Sequence, residues 1–192
     1  MSDEPELRRD PVTGRWAVIA PARARRPIGL PGHGPTPRTA GGRHPCPFCP
    51  GQEGETPHEV YAVRDPGSPP DGPGWQLRVV PNMYPAVSPA APAGSGAGGG
   101  PFAPAPGFGH AEVLIDCAEH HTSPTELTGG QLAEVFRAYR ARMRAFSADP
   151  RLAHVAVFKN VGAEAGASLA HAHSQLIATP FVPELLQAEL TA

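Results

Sequence analysis

Apolar and polar positions along the chain divide it into several short strands and one long helix. Residues 15–20, 75–80, 110–116 and 153–159 each read as a strand, a short run rich in apolar residues bounded by turn or loop residues. A turn, Asp10-Pro11-Val12-Thr13-Gly14, leads into the first of them. Helical spacing is sustained only after Thr128: Leu132, Val135, Phe136, Tyr139, Met143 and Phe146 form one apolar stripe, behind a capping box of Thr128 and Gln131. Asp149-Pro150 stops that helix. The stripe is expected to be core, packed on the sheet, and Arg137, Arg140, Arg142 and Arg144 to form a solvated face. Residues 88–109 are low-complexity Ala, Pro, Gly and Ser with almost nothing to bury, and are expected to be a flexible surface insert without structure. A further apolar segment occupies residues 177–190. The class this predicts is α+β, an antiparallel sheet with one helix across a face.

Composition narrows the options. At 192 residues the chain can bury one sizeable core, while 26 prolines and 22 glycines require a large share of loop. A net charge of −2 excludes a basic nucleic-acid-binding surface. No apolar run is long enough to span a bilayer, and residues 1–10 lack the apolar core of a secretory signal, so the expected location is the cytoplasm, with neither membrane nor nucleic acid as partner. Three cysteines, two of them in Cys46-Pro47-Phe48-Cys49, fit a reducing compartment and a metal half-site better than a disulfide framework. Cysteines at this spacing bring two thiolates together from one tight turn. A redox pair is the competing reading, but such pairs sit at a helix start and this one is flanked by prolines.

The densest chemistry lies in residues 159–175. An apolar run, residues 155–158, leads through a Gly- and Ala-rich loop into a second apolar run carrying His171, His173 and Gln175 on alternate positions. In an extended strand alternate side chains share a face, so two imidazoles and an amide meet beside a loop whose small residues allow backbone N–H groups close to an anion. The reading is a phosphate site with a histidine in it. Elsewhere, residues 22–27 form a basic loop, extended by Pro27, which by itself reads as a solvated charged segment. Pro81-Asn82-Met83-Tyr84-Pro85 is a proline-bounded turn after a strand.

Asn160, Gly162, Gly166, Ser168, His171, His173 and Gln175 together resemble the active-site segment of the galactose-1-phosphate uridylyltransferase family of the histidine triad superfamily, whose signature is His-x-His-x-Gln. Ala172 stands where proline is frequent in that signature. The resemblance covers most of the chain outside the Pro/Gly-rich insert, and implies a histidine-triad-like fold in one domain spanning residues 1–192, with a second, related domain that this chain does not carry. It nominates His120 and His171 to complete a structural zinc site with Cys46 and Cys49, with Cys117 as a rival ligand. It implies that Arg23 and Arg26 contact a nucleotide diphosphate, that Asn82 lies by the base and ribose, and that Asn160, Gly166, Ser168 and Gln175 hold substrate. His173 becomes the nucleophile. Gln175 replaces the third histidine of the hydrolases, and an amide has no titratable proton to give a leaving group, which favours transfer over hydrolysis. The implied reaction is ping-pong nucleotidyl transfer from a nucleotide sugar of the UDP-glucose type to a sugar 1-phosphate, in a homodimer. An ADP-sugar phosphorylase, a zinc-stabilised remnant without turnover, and a zinc-ribbon module are the alternatives.

Overall fold

The computed structural model describes residues 3–25, 46–94, 103–162 and 164–192. Five strands form the main sheet, in the order β3-β4-β6-β8-β7: β3 Tyr61–Arg64, β4 Trp75–Pro81, β6 His110–Ile115, β7 His154–Phe158 and β8 His173–Thr179. All four pairings are antiparallel. A smaller antiparallel sheet holds β2 Trp16–Ile19, β1 Glu6–Arg9 and β5 Ala105–Pro106, in that order. The helices are α1, Gly129–Ser147, and α2, Glu184–Thr191. The architecture is α+β, as the pattern of elements predicts. Among the described residues no helix is long and apolar enough to cross a membrane.

Strand alternation assigns the faces. Leu77 and Val79 of β4, Leu114 of β6, and Leu176 and Ala178 of β8 are buried on one face against Val135, Ala138 and Phe146 of α1. The opposite face divides in two. Toward one end Ala111 and Ile177 pack with Leu7, Val87 and Ala105, so the small sheet covers that part, and Trp16 stacks on Phe181 at 5.0 Å. Toward the other end Val80, Val113, His173 and Gln175 line an open cleft.

Thr128 caps α1 through the expected reciprocal bonds with Gln131. The buried strip, however, is offset from the predicted one. Phe136 is 61% exposed, and Leu132 and Met143 are about as exposed as each other, at 39% and 40%. The helix instead turns Val135, Ala138, Tyr139, Arg142 and Phe146 to the sheet, because Arg142 makes a two-pronged ion pair with the buried carboxylate of Glu112 on β6, at 2.8 and 2.7 Å. Arg142 is therefore not part of a solvated face.

The insert expectation is also corrected at its downstream end. Within residues 88–109, β5 pairs with β1, Ser88 bridges Phe108, and Phe108 is fully buried with the Arg151 guanidinium 4.6 Å over its ring. Phe108, a bulky residue near a run of small ones, supplies burial that composition alone concealed. Gly107 is obligatory there, since a Cβ would lie 2.4 Å from the Pro5 carbonyl oxygen that accepts its own N–H.

A buried ion cluster fixes the segment between the cysteine turn and β3. Arg78 of β4 is fully buried; it donates to Glu59 at 2.9 Å, to Asp71 at 3.1 Å and to Thr56 at 3.3 Å, while Arg64 makes a second pair with Glu59. Nothing in the alternation of β4 announces an arginine inside. Removing one partner of such a cluster strands buried charge, so Arg78→Ala should cost about 3–5 kcal/mol of unfolding free energy in a urea titration. Arg8→Ala, which removes an exposed pair with Glu6, should cost under about 1 kcal/mol in the same measurement.

Candidate active site and metal centre

The cysteine turn closes on itself. Cys49 N–H donates to the Cys46 carbonyl at 3.0 Å, and Gln52 N–H to that of Cys49 at 3.1 Å. Gly51, in the left-handed region at φ 86°, gives its N–H to the Glu53 carboxylate, which also accepts from the Trp75 indole at 2.7 Å. The turn is thus moored to β4. From it the Cys49 sulfur lies 3.2 Å from His120 Nδ1 and 3.6 Å from His171 Nδ1, and the Cys46 sulfur lies 3.8 Å from His171 Nδ1.

These four side chains form a group that could hold a metal ion. Zinc at about 2.3 Å from sulfur and about 2.0–2.1 Å from nitrogen, with tetrahedral angles, sets sulfur and nitrogen about 3.5 Å apart. The observed separations bracket that value. The fully buried His171 imidazole also has a fixed tautomer: its Nε2–H donates to the Cys117 carbonyl at 2.9 Å, leaving the Nδ1 lone pair toward the sulfurs. Burial pushes the His171 pKa down to about 4, so the ring is neutral, and pushes the Cys46 thiol up to about 12 and the Cys49 thiol upward. Half-buried thiols that close to one another and to two imidazoles are a poor arrangement for protons and a good one for a divalent cation. Cys117 does not join this group. Its sulfur turns to the Glu119 carbonyl at 3.2 Å and lies in a separate cluster with Glu119 and His121.

His173 begins β8, two residues after His171. Its Nδ1–H donates to the His171 carbonyl at 2.8 Å, which makes Nε2 the acceptor nitrogen of the neutral ring, and the ring is buried, 7% exposed. The Phe48 ring from the cysteine turn stands edge-on to it, centroids 5.4 Å apart, and 6.2 Å from the ring of His171. The metal group and the nucleophile candidate therefore share a neighbour as well as a strand. The cleft in front of His173 has a volume of about 350 Å³; Gln175, Ser168, Asn82 and Tyr84 line it, as do Pro47, Phe48 and the 55–57 segment. It is mostly apolar with a few polar groups, the usual character of a site for a small organic ligand.

Four of the sequence-derived residues, His173, Gln175, Asn82 and Ser168, thus meet at one cleft. The Asn82 carboxamide oxygen accepts from Tyr84 N–H at 2.9 Å and so shapes the turn that forms one wall. Arg23 reaches the same turn from outside, donating to the Tyr84 carbonyl at 2.9 Å. It sits on a 3₁₀ helix, Pro21–Arg25, rather than on the expected extended loop, and Arg25 pairs with Asp3. Arg26 lies outside the described residues. Asn160 and Gly166 are not on the cleft wall; Gly162 and Gly166, with φ 79° and 77°, shape the loop that brings Ser168 to it. Sequence reasoning did not find Phe48 and Thr56 as cleft residues, and only their neighbours in sequence, the cysteines and a proline, carried any signal.

The family model described as galactose-1-phosphate uridyl transferase, N-terminal domain, matches residues 1–183. An ADP-glucose phosphorylase of Arabidopsis thaliana is 35% identical over 98% of this chain, and a galactose-1-phosphate uridylyltransferase of Thermotoga maritima 26% identical over 97%. The chain spans about half the length of these curated relatives, 52% and 50%. Two solved structures superpose on 97% of it: a uridylyltransferase with TM-score 0.67 and 27% identity, over 49% of that chain, and an Arabidopsis thaliana ADP-glucose phosphorylase with bound ADP-glucose, with TM-score 0.64 and 34% identity, over 52% of that chain. A buried histidine beside a Cys-Cys-His-His group, on this sheet and with these relatives, leaves one conclusion: the chain belongs to the galactose-1-phosphate uridyl transferase family and corresponds to its N-terminal domain.

Proposed function

We propose that this chain carries the nucleophilic half of a nucleotidyltransferase in which His173 takes a nucleoside monophosphate from a nucleotide sugar. The observation that carries the reading is the His173 tautomer: with Nδ1–H donated to the His171 carbonyl, Nε2 is the acceptor nitrogen of the neutral ring, on a side chain that lines the cleft with Gln175 and Ser168. Nε2 attacks the α-phosphorus, the bond from that phosphorus to the bridging oxygen breaks, and the sugar 1-phosphate leaves with the electron pair. A phosphate acceptor then attacks the same phosphorus, breaks the N–P bond and returns the free imidazole. A sugar phosphate leaves without a proton, so Gln175 has only to donate a hydrogen bond to the phosphoryl oxygens. Ser168 adds a second donor, and Arg23, through the Tyr84 carbonyl, holds the wall at which Asn82 meets the nucleoside. As in the family resemblance, the working unit is a homodimer in the cytoplasm.

Between the two nucleotides, adenine has the better support. The Arabidopsis thaliana ADP-glucose phosphorylase is 35% identical to this chain, against 26% for the Thermotoga maritima uridylyltransferase at matching coverage. The reaction proposed is therefore adenylyl transfer from an ADP-sugar to phosphate or a sugar phosphate, with the UDP-glucose reaction as its competitor. Zinc is the metal that the Cys46, Cys49, His120 and His171 donor set fits, and with four protein ligands it has a structural role, holding His171 and hence the start of β8 in place.

Intact mass after incubation with ADP-glucose should rise by one adenylyl group, and His173→Ala should show no gain. A uridylyl gain from UDP-glucose alone would move the assignment to the uridylyl reaction, and no gain from either nucleotide in folded, metal-loaded protein would defeat the proposal. For the metal, protons compete at both thiols, whose pKa values burial raises, while His171 is already neutral. Zinc affinity should rise with pH between 6 and 8, by up to about 100-fold per unit for two released protons, as read by competition with a chromogenic chelator.

A further inference from the structure

On the face of β8 turned away from the cleft, four polar side chains form one hydrogen-bonded chain that ends on the backbone of His173. The Ser174 hydroxyl, fully buried, donates to Asp116 Oδ1 at 3.1 Å. That uses its only proton, so the Tyr139 hydroxyl of α1, 2.6 Å away, is the donor in the bond between them. Asp116, 2% exposed, receives the Lys159 ammonium on its other oxygen at 2.5 Å, and the same ammonium donates to the His173 carbonyl at 2.9 Å.

The destination of that last bond is the informative part. Carbonyls along a strand point alternately to its two neighbours, and the Ala172 carbonyl accepts from Asp116 N–H on the β6 side. The His173 carbonyl therefore points to the β7 side. But β7 ends at Phe158, opposite Gln175, so the ladder stops before it can supply a donor to His173. Lys159, the next residue after β7, puts its side chain where a backbone N–H would have been. A buried ion pair is by itself weak support for stability, because desolvation offsets most of the attraction; this one has a directional task instead.

We propose that Lys159, held by Asp116, is a positioning residue for His173: it substitutes for the missing ladder donor and fixes the main chain of the nucleophile between two anchors, the Lys159 ammonium at its carbonyl and the His171 carbonyl at its ring Nδ1–H. The inference rests on the reading of His173 as nucleophile. A nucleophile displaced by about 1 Å loses on the order of 100-fold in rate, which is the scale of effect expected when one anchor is removed.

The test uses the neutral double variant Lys159→Met/Asp116→Asn, which leaves no buried charge unpaired and keeps a side-chain acceptor for Ser174; Lys159→Met alone is compared with it for folding. Single-turnover nucleotidylation of the double variant by saturating ADP-glucose, or UDP-glucose if that is the donor that reacts, should be on the order of 100-fold slower. The dissociation constant for the nucleotide sugar should stay within about twofold, since the cleft side chains are untouched. A purely architectural pair would lower the melting temperature and leave the rate of the folded protein unchanged, and that result overturns the proposal. Ring-nitrogen NMR of His173 gives a second readout independent of turnover: one Nδ1–H tautomer in the parent chain, a mixture of tautomers in the double variant. Should the parent form no adduct, the nucleophile reading fails separately, and an unchanged tautomer in the double variant still overturns the positioning role.

Discussion

The imidazole of His171 is the constraint on which the functional end of this molecule depends. Its two nitrogens are committed in opposite directions, Nε2–H to the Cys117 carbonyl just beyond β6 and Nδ1 toward the two sulfurs of the cysteine turn. A ring held at both nitrogens fixes its own backbone, and that backbone supplies the carbonyl that orients His173. One residue thereby joins three distant parts of the sequence, the cysteine turn, the segment after β6 and the start of β8. Because the ring is wholly buried and neutral, no water competes for either nitrogen.

The sheet separates the work of its two faces by simple alternation. Along β8, His173 and Gln175 go to the cleft, while Ser174, Leu176 and Ala178 go toward the helix, where Ser174 meets Tyr139 and Leu176 and Ala178 join the apolar core. The cleft side chains are therefore carried on a strand whose opposite face is packed into the core. A packed core has few alternative arrangements, so it transmits rigidity to the groups it carries. The cysteine turn adds the last wall: Phe48, placed between the two cysteine sulfurs, lies against both histidines and lines the cleft, so ordering that turn also orders the space in front of His173.

Where expectation and structure part, charge or context outweighed pattern. Counting large apolar residues put Phe136 and Met143 in the helix–sheet interface, whereas the interface selected Ala138, which allows close approach, and Arg142, whose partner Glu112 comes from β6 and cannot be inferred from the helix. In the same way Arg78 lies inside because Glu59 and Asp71 converge on it from other segments. The low-complexity stretch contributes Ala105 and Phe108 to the interior because β1, far away in sequence, offers an edge to pair with.

The sequence by itself determined the local and periodic features. It set the position of β2, β4, β6, β7 and β8, though not of β1, β3 or β5, together with the capped start of α1, the tight Cys-Pro-Phe-Cys turn, and the alternation that sends His173 and Gln175 to one side of β8. It also carried enough of a motif to nominate the four side chains that the fold brings together as a possible metal group, and His173 and Gln175 beside the cleft. Each of those signals is written within a few residues and rests on backbone geometry that neighbours in sequence dictate. Only the tertiary structure decided which way His171 turns, that Cys117 faces Glu119 and His121 instead of the metal group, that Arg78 is buried and Arg142 half-buried against Glu112, and that the Lys159 ammonium reaches the His173 carbonyl. Most of those outcomes depend on which partners arrive from other segments of the chain, and a buried charge or polar atom is tolerated only where such a partner is already in place.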